Sequence, residues 1–180
     1  MVRLRLHRRQ VAAGNNRLPT EADPKPIRPH MPGYGIADAN GGSGLLTWSW
    51  AAERLVHSHN YYLATTREDR RPHVMPLWGV WIENSFYFST GRESRKARNL
   101  AANPYCSVCT EKLNESVVVE GTVEEVSSSS IPPHVADAYY AKYGWKLDPQ
   151  LGGIYRLRPV VAFGIKESDF TGSATKWVFV

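Results

Sequence analysis

The spacing of apolar positions along this chain changes several times, and each change marks an element. Trp48, Ala51, Ala52, Leu55 and Val56 fall at i, i+3, i+4, i+7 and i+8, the spacing of one face of an amphipathic helix. Residues 60–66 are instead β-branched and aromatic, and they run into the charged turn 67–72. An extended stretch over 73–82 turns at Glu83-Asn84 and returns over 86–90, which predicts a β-hairpin with a two-residue turn. In 73–82 the even positions Val74, Trp78, Val80 and Ile82 are apolar and are expected to face a core, while Pro76 removes a ladder donor and marks an edge or bulge. Ser94 then stands where a helix N-cap belongs, Ala97, Leu100 and Ala101 follow at helical spacing, and Asn103-Pro104 ends the segment.

Strands are predicted again over 105–110 and 116–126. In the second, Val117, Val119 and Val123 alternate with Val118, Glu120, Thr122 and Glu124, giving one buried and one wetter face. A helix placing Ala136, Tyr139, Tyr140 and Tyr143 on one side follows a Ser/Pro loop, and strands are expected over 153–158, 160–166 and 176–179. Six or seven strands in hairpin order with about three short helices predict a mostly β fold, an antiparallel barrel with helices at its ends.

Charge changes this picture only at the N-terminus. The 180-residue chain has a formal net charge of +5. Residues 1–30 hold that whole excess, leaving 31–180 with equal numbers of acidic and basic side chains. Five prolines between positions 19 and 32, and the glycines of 33–44, predict a flexible basic, Pro/Gly-rich extension over 1–44, with the folded domain over 45–180. No segment has the length and apolarity of a membrane span, so a membrane partner is not expected. Nucleic acid is disfavoured because the balanced domain carries no excess charge. Cys106 and Cys109 have C-x-x-C spacing, but in a strand residues three apart point to opposite faces. Free thiols and a cytoplasmic setting are therefore expected. His57 and His59 have no third ligand at metal spacing, and no nucleophile elbow or triad pattern is present.

Arg92, Arg95, Lys96 and Arg98 lie within seven residues at the start of the second helix, just after Ser89, Thr90 and Gly91. Helix N-terminal N–H groups together with hydroxyls and cations suit a phosphate. A solvated basic helix face has the same spacing, and spacing alone does not choose between them. A flat ring system against the Pro76 strand fits that strand's missing donor; a structural bulge fits it too.

Taken in order, the blocks 46–55, 60–66, 71–81, 86–91, 94–100 and 174–179 resemble the pyridoxamine 5′-phosphate oxidase-like split β-barrel family, and within it the flavin/deazaflavin-dependent oxidoreductases. The resemblance implies a homodimer with a flavin-type cofactor at each subunit interface. It implies a ring lying along Val74, Met75, Pro76, Leu77 and Trp78, and a phosphate meeting Ser89, Thr90, Arg95 and Lys96. Lys176 and Trp177 would complete the pocket from the partner subunit. True pyridoxamine phosphate oxidases carry basic residues at both ends of the second strand, where this chain has Val74 and Gly79, and they end in an Arg-x-His segment absent here. Oxidation of vitamin B6 is accordingly not expected. Arg70 stands where the first hairpin turn usually has Gly.

The function implied is an oxidoreductase that binds the deazaflavin coenzyme F420 and moves hydride to or from an unsaturated small molecule. Lys176, and after it His73, are the candidates for stabilising charge. An FMN-dependent oxidase or reductase is the alternative. A non-catalytic cofactor carrier, or a polyanion binder acting through residues 1–30, is the reading from outside enzymology.

Overall fold

The computed structural model describes residues 23–36 and 44–180. The chain runs β1 (Pro26–Ile27), α1 (Trp48–His57), β2 (Tyr61–Thr66), β3 (Pro72–Leu77), β4 (Gly79–Ile82), β5 (Ser85–Thr90), α2 (Arg95–Ala102), β6 (Tyr105–Thr110), β7 (Glu115–Val126), α3 (Pro133–Tyr143), β8 (Gly153–Lys166), α4 (Phe170–Ser173) and β9 (Thr175–Val178). Local chemistry sets most boundaries. The Thr47 hydroxyl accepts from Trp50 N–H to start α1, and the Ser94 hydroxyl accepts from Ala97 N–H to start α2. Glu83 and Asn84 both take positive φ, 49° and 52°, the paired left-handed conformation that a two-residue hairpin turn needs. Arg70 also takes φ 66°, so the first hairpin turn keeps a left-handed residue without glycine.

Every strand pairing is antiparallel, in the order β1-β9-β8-β7-β6-β2-β3, with β5 pairing the first half of β8 (Gly153 to Leu157), beyond the stretch that β9 takes, and β4 beside β5. Following the ladders round, the ring would close where β3 meets β4. Those two are consecutive in the chain, separated only by Trp78, and they pair with different neighbours, so the sheet is split there rather than closed. The core fills the inside of this curved sheet, with Trp48, Leu55, Tyr61, Phe86, Val119, Leu157 and Trp177 buried together. The indole of Trp48 meets that of Trp177 edge-on at 5.5 Å. A second apolar cluster, Val80 and Tyr87 with Val135 and Tyr139, docks α3 on β4 and β5.

Four expectations need correcting. The 73–82 stretch is two strands, and the change of direction at Trp78 shifts the inward phase: Leu77, Val80 and Trp81 are buried, whereas Val74 and Trp78 are exposed. On α3 the buried residues are Val135 and Tyr139, and Tyr140 faces out. The 153–166 segment is one strand, because Pro159 sits opposite Gly121 at a bulge in the β7–β8 ladder, where no N–H is required of it. Finally, part of the expected flexible extension is docked. Pro26 and Ile27 pair with Trp177 and Lys176, and Arg28 is buried, donating to the carbonyls of Gly172 (2.7 Å) and Ala174 (3.0 Å). Two residues carry too little period to be read as a strand, yet they cover the edge of β9. Residues 1–22 and 37–43 of the expected extension lie outside the described residues.

Candidate cofactor-binding site

The N-terminal end of the edge strand β3 is linked to α2 through β2. Asn99, buried in the middle of α2, donates from Nδ2 to Thr65 Oγ1 on β2 at 2.9 Å. Thr65 in turn is aligned with His73 on β3, with its Oγ1 3.4 Å from His73 Nδ1. Arg95 and Lys96 precede Asn99 by four and three residues, so they share its side of the helix and stand over this end of the sheet. The electrostatics agree. His73 titrates below its ordinary value, first because it is partly desolvated and then because Arg67, Lys96 and Arg95 repel its charged form. Among the described residues, neither Arg95 nor Lys96 has an ion-pair or hydrogen-bond partner. Arg95 and Lys96 stand next to each other with no carboxylate bonded to either among the described residues, an arrangement that an anion would relieve.

The expected site residues divide. Arg95, Lys96 and the Thr90–Ser94 hydroxyl pair (3.1 Å) lie at the head of α2. Ser89 uses its hydroxyl on the Gly153 carbonyl at 3.1 Å. Arg92, in the same basic run, is turned away and bonds Glu125 (3.0 Å) and the Pro149 carbonyl (2.9 Å). On β3, Met75 is aligned with buried Leu63 and so lies on the same face as His73, yet it is 41% exposed and offers an open apolar surface beside the cations. Val74 and Pro76 point to the opposite face. Leu77 belongs to the core, so its side chain is not available to a ring lying on the strand.

Trp78, at the split, stacks on Tyr143 of α3 with centroids 4.8 Å apart and planes within 10°. Beneath this stack Lys142 Nζ donates to Tyr61 Oη (2.8 Å) and to the carbonyls of Gly79 (3.1 Å) and Val56 (3.3 Å), and its burial pushes its pKa down to about 8.

Lys176 and Trp177 are elsewhere. Trp177 is wholly buried in the core, packed on Trp48, so its side chain cannot reach a cofactor from a partner subunit. Its bulk fills the core under β9, which is why an apolar residue is needed at that position. Lys176 lies on the outer face of the sheet beside Phe163, five strands along the sheet from β3, a path of roughly 24 Å measured around its curve. The strand registers place it in one outer row, Pro76, Tyr62, Cys109, Val118, Phe163, Lys176 and Ile27, in which every residue is at least partly exposed. Cys109 faces outward in this row while Cys106 is buried, and both are free thiols, as the strand geometry predicts.

Sequence reasoning passed over Thr65, Arg67 and Asn99. A polar residue at an inward position of a short helix, three residues after Lys96, was the available signal for Asn99. Among the described residues no cluster of three or more His, Cys, Asp or Glu could hold a metal, and no helix is long and apolar enough to cross a membrane.

The stretch that carries these residues is also matched by known proteins. The pyridoxamine 5′-phosphate oxidase family matches residues 51–168, which include β2, β3, the split and α2. A pyridoxine/pyridoxamine 5′-phosphate oxidase from Myxococcus xanthus is 40% identical over 81 residues, 43% of this chain and 37% of that protein. The chain thus spans well under half the length of this curated relative. In fold it is similar to a heme binding protein from Mycobacterium smegmatis (TM-score 0.58, 14% identity, 72% of this chain and 57% of that one). It is also similar to an F420 reductase (TM-score 0.50, 23% identity, 61% and 93%). With the match running through the split sheet and the head of α2 together, the chain belongs to the pyridoxamine 5′-phosphate oxidase family.

Proposed function

We propose that this protein is an oxidoreductase that seats a phosphate-bearing flavin-type cofactor between α2 and β3 and uses it on a small unsaturated molecule. The observation that carries the reading is the pair Arg95 and Lys96, without counter-ions, at a Ser-capped helix N-terminus beside an open apolar strand. When bound, such a cofactor supplies the hydride chemistry itself. The chain's own residues do the rest. Arg95, Lys96 and the N-terminal amides of α2 fix the phosphate, Met75 gives the ring a dry edge, and the Trp78–Tyr143 stack walls the far end of the strand. The site lies at the edge of one sheet and needs a second wall. A second copy, docked through the outer row from Pro76 to Ile27, would supply it and would be the source of Lys176. The protein is accordingly proposed to be a homodimer.

The deazaflavin coenzyme F420 is the cofactor favoured by the ordered sequence blocks and by the Thr175-Lys176-Trp177 ending. FMN is the second reading, favoured by charge: its phosphate is a monoester and nearly a dianion at neutral pH, the better match for several cations. Titrating the protein separately with each compound, following tryptophan fluorescence, tests both. One of them should quench the Trp78 signal, and replacing Arg95 and Lys96 together by Ala should weaken that binding by about a hundredfold. Absence of quenching by either compound would overturn the cofactor reading.

A further inference from the structure

Taking the phosphate-bearing cofactor proposed above as given, two residues beside Arg95 and Lys96 remain without a role. The Nε of Arg67 is enclosed and has no hydrogen-bond partner. Its backbone is fixed in the β2–β3 turn, the N–H donating to the Arg71 carbonyl (3.0 Å) and the carbonyl accepting from Arg70 N–H (2.8 Å). Asp69, in the same turn, feels the charge of Arg67 but places its oxygens on Arg71 (2.6 Å), and it makes no hydrogen bond to the Arg67 Nε. An enclosed donor without an acceptor is unfavourable, and a ligand oxygen is what it lacks.

Thr65 ties His73 to Asn99 of α2. Thr65 Oγ1 accepts from Asn99 Nδ2 at 2.9 Å and stands 3.4 Å from both Nδ1 and the carbonyl oxygen of His73. A hydroxyl has one proton and two lone pairs. Asn99 occupies one lone pair; when the hydroxyl proton goes to the His73 carbonyl, the remaining lone pair is matched by a proton on Nδ1. In the neutral ring Nε2 is then bare, and it can donate to an anion only after taking up a proton. The groups around the imidazole are Thr65 from β2, Arg67 from the turn, and Arg95, Lys96 and Asn99 from α2. Desolvation first and then their cations disfavour the charged ring while no anion is near; an anion among them reverses the sign of the local field.

We propose that Arg67 and His73 are further ligands of the cofactor's phosphate, and that binding the phosphate carries a solvent proton onto Nε2 of His73. No covalent bond changes: a neutral imidazole, a phosphate and one proton become an imidazolium–phosphate pair. Cofactor affinity is thereby coupled to pH through the protein rather than through the cofactor alone.

The test uses the full chain titrated with FMN, with F420 and with riboflavin, which lacks the phosphate, from about pH 8.5 to 5.5. His73→Asn keeps a donor toward Thr65 and removes the titrating nitrogen. For whichever phosphate cofactor binds, the ratio of wild-type to His73→Asn affinity should rise about tenfold as pH falls. Titration of the cofactor's own phosphate is common to both proteins and cancels. With riboflavin the ratio should stay flat. Arg67→Met should weaken the phosphate cofactor about tenfold and leave riboflavin unaffected. Calorimetry in two buffers of different ionisation enthalpy should show proton uptake by the wild type, and this reading stands even where His73→Asn fails to fold.

A flat ratio without proton uptake, or unchanged affinity in Arg67→Met, overturns the proposal. Should neither phosphate cofactor bind the wild type, inorganic phosphate separates the cases. Thermal stabilisation by phosphate that Arg67→Met abolishes would sink the cofactor reading and keep the anion site, whereas no stabilisation would sink both.

Discussion

Lys142 shows how a single side chain can work against the fold it helps to assemble. Its ammonium caps carbonyls of α1 and β4 and lies over the Tyr61 and Tyr143 rings, but among the described residues no carboxylate is paired with it, and burial, only partly offset by the more distant Glu111, lowers its pKa to about 8 from an ordinary 10.5. Between those two values the unfolded chain binds more protons than the folded one, so the lysine's contribution to stability rises with pH across that interval. Below pH 8 the contribution is constant and unfavourable. In Lys142→Met the slope is lost. Urea midpoints taken between about pH 7 and 10 should therefore show wild type gaining on the variant as pH rises. The three hydrogen bonds set only a constant offset. The raised tyrosine values of the same cluster, Tyr139 and Tyr143 at about 12, are common to both proteins. A difference that does not change with pH would show that the lysine is not desolvated in solution. Nothing in the sequence marks this residue, because a lysine in the last turn of a helix ordinarily reads as a solvated complement to the helix dipole.

At the scale of elements, the bend in the β7–β8 ladder depends on one missing side chain. A Cβ on Gly121 would fall on the carbonyl oxygen of Arg158, at the register shift between Glu120 and Gly121. Gly121→Ala should cost about 2–3 kcal/mol, read as a lower urea midpoint with an unchanged m-value. A wild-type midpoint would mean that the bulge can slide.

Elements whose signal is local were legible in the sequence. The helix behind Ser94, the Glu83-Asn84 turn and the alternation of Val117, Val119 and Val123 each follow from a few neighbouring residues, and the structure has them where expected. What was not legible depends on partners distant in sequence. Trp78 breaks the strand because β3 must serve β2 while β4 serves β5. Pro26 and Ile27 become a strand only because β9 offers an open edge some 150 residues later. The candidate site divides the same way. Arg95 and Lys96 announce themselves by spacing, whereas Arg67, Thr65 and Asn99 acquire meaning only when the turn and the helix are brought together. Trp177 was misplaced because an ordered block of residues specifies the chain's ending, not which face of the last strand each side chain takes.

For the molecule as a whole, the outer row from Pro76 to Ile27 decides whether one chain suffices. Tyr62, Val118, Phe163 and Ile27 are apolar positions on a sheet face that the chain's own helices leave at least partly exposed, and β3 at its margin carries Val74 at 55% exposure. A stable pair of chains buries about 800 Å2 on each side, an area that a face of this width can supply. Val118 stands in the middle of the row, between Cys109 and Phe163, and it is not part of the buried core. Val118→Asp would therefore place two unpaired carboxylates in the proposed interface while leaving the core intact. Dimer dissociation should become easier by about a hundredfold or more, read by analytical ultracentrifugation, with the melting temperature of the dissociated chain close to that of the wild type. If Lys176 works across the interface, the same variant should lose most of its cofactor affinity, although its substitution is remote from Arg95 and Lys96. A variant that remains dimeric would move the interface to another face. A monomer that binds cofactor with full strength would show that the anion site and β3 are sufficient within one chain, and that Lys176 has no part in holding the cofactor.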